Sequence, residues 1–64
     1  MPQLDLLATT LPSGTTVTLT QHGDCRDKDV RWTVYVTFPG KAAHPMVHVT
    51  FADAVRRFDR VTHP

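Results

Sequence analysis

Val30-Arg31-Trp32-Thr33-Val34-Tyr35-Val36-Thr37-Phe38 alternates without a break. Val30, Trp32, Val34, Val36 and Phe38 fall on one parity, and Arg31, Thr33, Tyr35 and Thr37 on the other. Successive side chains of an extended chain point to opposite faces, so this segment reads as a strand with one buried and one solvated face. The same period runs through Thr15 to Gln21, with Val17 and Leu19 inward and Thr16, Thr18 and Thr20 outward. The β-branched content of both runs suits a pleated surface. A third run, Met46 to Phe51, is read with Val47, Val49 and Phe51 on the core side and Met46, His48 and Thr50 on the other.

The segments between these runs carry turn chemistry. Pro39-Gly40 opens a seven-residue connection to Pro45, a length that suits an antiparallel hairpin. Leu11-Pro12-Ser13-Gly14-Thr15 is a second turn, which makes Leu6 to Leu11 a first strand hairpinned to the second. Leu4, Leu7 and Leu11 also fall at helical spacing, but the β-branched Thr9 and Thr10 disfavour a helix there.

Beyond Phe51 the period changes. Phe51, Ala54, Val55, Phe58 and Val61 recur at i, i+3, i+4, i+7 and i+10, the stripe of an amphipathic helix. Thr50 is the expected N-cap, with Asp53 three residues on as a short capping-box partner. The chain therefore reads as one α+β domain over residues 1–64: an antiparallel meander of three to four strands with a C-terminal helix packed on one face. The opposite face carries Thr16, Thr18, Thr20, Arg31, Thr33, Tyr35, Thr37, Met46, His48 and Thr50, and nothing in the chain is left to cover it.

Composition narrows the function classes. The 64 residues are 41% apolar, too many for an intrinsically disordered chain, and the longest apolar run, Leu6-Leu7-Ala8, is far below the roughly twenty residues of a membrane span. No membrane association is expected. The net charge of +1 provides no global field to drive binding to nucleic acid or an anionic surface. Cys25 is the single cysteine, so no intramolecular disulfide forms; with no secretory leader after Met1, a cytoplasmic location is expected.

Catalytic and metal chemistry find little support. His22 and Cys25 fall in the loop after the second strand, and His44 at the opposite end of a strand about 20 Å long. His44 and His48 on an extended chain stand about 13 Å apart, so they do not converge on zinc, and His63 adds at most a second ligand to His44. Asp24 and Asp27 around Cys25 disfavour a thiolate, which argues against a nucleophile. Arg26 and Lys28 alternate with Asp24, Asp27 and Asp29, giving a self-neutralising turn without EF-hand spacing. No cofactor, metal or enzyme activity is expected.

Two binding readings survive. The first is a protein-binding module, a small inhibitor or accessory factor that docks through the open sheet face or an edge strand, with Tyr35, Arg31, Thr33, Thr37, Met46 and His48 in the interface. Self-association through the same surface belongs to this reading. Phage-encoded antagonists are of comparable size, and no residue adds to that comparison. The second is nucleic-acid binding through Arg56, Arg57 and Arg60 on the exposed helix face, with Lys41 and His44 expected near its end. Base stacking on the sheet would need more exposed aromatics than Tyr35.

Overall fold

A computed structural model describes residues 3–63. Four strands, β1 (Gln3–Thr10), β2 (Thr16–His22), β3 (Arg31–Thr37) and β4 (His44–His48), are followed by one helix, α1 (Phe51–Thr62). The strands lie in the order β1-β2-β3-β4, each antiparallel to its neighbour. This is the expected α+β meander, and the first element is a strand, not a helix. Leu11 leaves the strand to close the first turn, donating to the Thr15 carbonyl at 2.8 Å while the Gly14 N–H donates to Leu11 at 2.9 Å. Gly14 has φ +89°, and a Cβ there would stand 3.1 Å from Cγ of Pro39 in the neighbouring hairpin, so both backbone and packing favour glycine.

Pairing of Val17 with Val36 and of Leu19 with Val34 places four apolar side chains side by side on one face. Ala54 of α1 is fully buried against them, its small side chain letting the helix approach the sheet closely. Each wholly buried Val or Leu contributes about 2 kcal/mol. Leu6, Leu11, Trp32, Met46, Val55, Phe58 and Val61 surround this centre, partly buried. Thr50 caps the helix as its sequence predicts, accepting the Asp53 N–H on its hydroxyl at 3.2 Å.

One strand reads differently from its hydrophobic pattern. In β4, His48 lies opposite Trp32, Met46 opposite Val34 and His44 opposite Val36, so all three face the helix side of the sheet. Val47 pairs with Thr33 on the other face and is 64% exposed, and Val49, beyond the strand end, is 67% exposed. The expectation that Met46 and His48 belong to the uncovered face, with Val47 and Val49 in the core, is therefore corrected. Register across a hairpin is set by its connection, and a shift of one residue exchanges the two faces of a strand. The strand also starts earlier and stops earlier than its pattern implies, at His44 and His48, leaving Val49 and Thr50 as the link to the helix.

Candidate functional site

The face away from the helix is occupied by its own side chains. Thr20 and Thr33, paired at the sheet centre, are both buried. The Thr20 hydroxyl donates to Asp5 Oδ1 at 2.9 Å, tying edge strand β1 to β2. Tyr35 reaches His22, with rings edge-to-face at 6.4 Å and the phenol oxygen 3.4 Å from Nε2. Arg31 folds back to donate to the Val30 carbonyl at 2.8 Å. Thr33, expected at an interface, is thus withdrawn from solvent, while Tyr35, Arg31 and Thr37 do share this face. On this face Thr20, Arg31 and Tyr35 are engaged within the chain, and Val47 is exposed.

The two flanks of α1 differ sharply. Towards β1, Leu7, Phe51, Ala52, Val55 and Phe58 line a shallow groove of about 670 Å3, rimmed by Asp59 and Arg56. Leu7 is 42% and Phe51 47% exposed, and Leu4, further along the same edge strand, is 58% exposed. A bulge at Leu6 breaks the β1–β2 register between Asp5 and Leu7, and the run Leu7 to Thr10 after it is regular. The outer edge of β1 is unpaired. At the other edge, β4 is five residues long and contains Pro45, which has no N–H to give a further strand. The Trp32 ring meets Phe51 of the groove edge-to-face at 6.0 Å, and its indole N–H donates to Gln21 Oε1 at 3.1 Å. The Gln21 amide in turn donates to the Gly23 carbonyl at 2.9 Å.

Towards β4, Asp53, Arg56, Arg57 and Arg60 occur at i, i+3, i+4 and i+7 of α1 and form one wall of a cleft of about 250 Å3 that includes His48. The structure thus brings together Arg56, Arg57, Arg60 and His48, and leaves Lys41 and His44 out of the lining. Arg56 stands 3.4 Å from Asp53, an exposed i,i+3 pair of the kind that contributes little. Arg57 and Arg60 make no ion pair among the described residues. His48 Nε2 is buried without a hydrogen-bond partner, a condition that costs about 1–3 kcal/mol.

The β2–β3 loop is built from two Asx turns, in which the Arg26 N–H donates to Asp24 and the Asp29 N–H to Asp27, each at 2.9 Å. The Arg26 backbone N–H, and then its guanidinium, hold the Asp24 carboxyl below its usual range. Cys25 in this loop is an exposed free thiol. Among the described residues, no three His, Cys, Asp or Glu side chains converge to form a metal-binding group. No helix there is long and apolar enough to cross a membrane.

The groove beside β1 was not legible as a surface in the sequence. Phe51, Val55 and Phe58 belong to the helix stripe, and only the placement of β1 under one flank of that stripe leaves Leu7 and Phe51 half open. Comparison of the chain with protein-family models, with curated proteins and with solved structures finds no match.

Proposed function

We propose that the protein is a non-enzymatic protein-binding module whose partner contributes an extended segment alongside β1 and seats an apolar side chain in the groove between β1 and α1. The observation that carries this reading is the coincidence of an unpaired edge strand with half-exposed Leu4, Leu7 and Phe51. An added strand satisfies the outward N–H and C=O groups of β1, and burial of the leucines and Phe51 supplies the apolar part of the affinity. Asp59 on the groove rim favours a partner segment with a basic residue beside its apolar anchor. The engagement of Thr20, Arg31 and Tyr35 within the chain speaks for β1 over that face as the docking surface. A small inhibitor or accessory factor of a larger complex would act in this way.

A photoreactive amino acid at position 7 or 51 tests the reading in cells that make the protein. A discrete heteromeric adduct from these positions, absent from position 37 and abolished by Leu4→Lys, is the expected result. Adducts from position 37 alone overturn it in favour of the Tyr35 face. An adduct of twice the chain's mass overturns it in favour of a second copy of this chain.

A further inference from the structure

The geometry points to a second binding site, independent of the β1 groove, in which the cleft between β4 and α1 holds a phosphate group on Arg57 and Arg60. Three arginines share this cleft with one aspartate, and that aspartate is already spent on Arg56. The unbalanced charge therefore lies with Arg57 and Arg60, one helical turn apart on the same wall. Compensation of the helix dipole accounts for only part of this arrangement. That field fades within the last turn, where Arg60 is the only basic residue, and Arg57 lies a turn earlier.

Guanidinium groups are planar forks whose paired N–H donors match the oxygens of phosphate, which makes arginine the side chain suited to this anion. The cleft, of about 250 Å3 and open to solvent, admits a phosphate and the first atoms of its ester. His48 lines the cleft beside the arginines, so its ring resonances report on an anion held there. The ligand class is a phosphate ester or free phosphate. The same chemistry is offered by a small phosphorylated molecule and by the backbone of a single nucleic-acid strand.

Titration of the 15N-labelled protein with inorganic phosphate, pyrophosphate and a short single-stranded oligodeoxynucleotide, at matched ionic strength, tests the site. Saturable shifts at His48 and at residues 53–60 are expected, with at least tenfold weaker binding in Arg57→Gln/Arg60→Gln. Arg57→Lys, which keeps the charge and loses the fork, is expected to weaken binding several-fold. Arg26→Gln, in the β2–β3 loop outside the lining of the cleft, leaves it unchanged. Retained dispersion of the spectrum confirms that each variant is folded. Saturation by pyrophosphate assigns a free phosphate ligand. Saturation by the oligonucleotide alone, with a log–log salt slope of about −1.4 for two neutralised phosphates, assigns a phosphodiester backbone. Shifts reproduced by chloride, binding unaffected by Arg57→Gln/Arg60→Gln, or equal affinity for an acidic peptide each overturn the proposal.

Discussion

Trp32 and His48 are direct partners across β3 and β4, so the imidazole shares the helix-side face of the sheet with the indole. This one pairing moves His48 from the open surface into the arginine cleft, and it exchanges the roles of Met46 and Val47.

The exchange can be measured. Met46→Ala is expected to destabilise the protein by about 1 kcal/mol, a fraction of the cost at a fully buried methionine, whereas Val47→Thr falls within about 0.5 kcal/mol of the parent. Denaturant midpoints at constant slope provide the comparison. The reverse ranking would place β4 in the other register.

Thr20 and Asp5 act as a pair. Asp5→Ala leaves the buried Thr20 hydroxyl without its acceptor and is expected to cost about 1–2 kcal/mol. In the background of Thr20→Val the same Asp5→Ala change should cost much less, and a double-mutant cycle reads the difference. Additive losses would mean that the 2.9 Å contact does not couple the strands.

Thr50→Ala removes the hydroxyl that accepts the Asp53 N–H and is expected to cost about 1 kcal/mol, while Thr50→Ser or Thr50→Asp retains the cap. Amide exchange in the first turn of α1 should accelerate in Thr50→Ala alone. A uniform loss of protection over β1 to β4 instead would show that the cap serves the whole domain and not the helix start.

The Asp24 carboxyl titrates below its ordinary value of 3.8 because the ionised form accepts from Arg26. Its folded pKa is lower than its unfolded one, so the associated stabilisation is present above the unfolded value and is lost as pH falls through the folded value. Side-chain carboxyl NMR through acid titration should place the Asp24 midpoint below 3.8, and Arg26→Pro, which removes both the backbone donor and the guanidinium, should raise it. A midpoint unmoved by Arg26→Pro would break the assigned cause.

Local patterns were legible without coordinates. The period of two in Val17, Leu19, Val34 and Val36, the helical stripe from Phe51 to Val61, the Thr50 cap and the Gly14 turn each depend on residues near one another in the chain. Parity in β2 and β3 followed because their apolar residues are the ones covered by Ala54 and its neighbours. In β4 the same rule misleads, since Val47 is apolar yet points to the face away from the helix, and Val49 lies in the link beyond the strand.

The sequence by itself determined the α+β class, the order of elements and the buried centre, because strand alternation, helix periodicity and capping are short-range consequences of backbone geometry. Only the tertiary structure decided which face of β4 meets the helix, that Leu7 and Phe51 flank an open groove, and that His48 joins Arg57 and Arg60. Those relations depend on hairpin register and on where the helix axis crosses the sheet, and a one-residue slip in register reverses every side chain of a strand while leaving its local pattern unchanged.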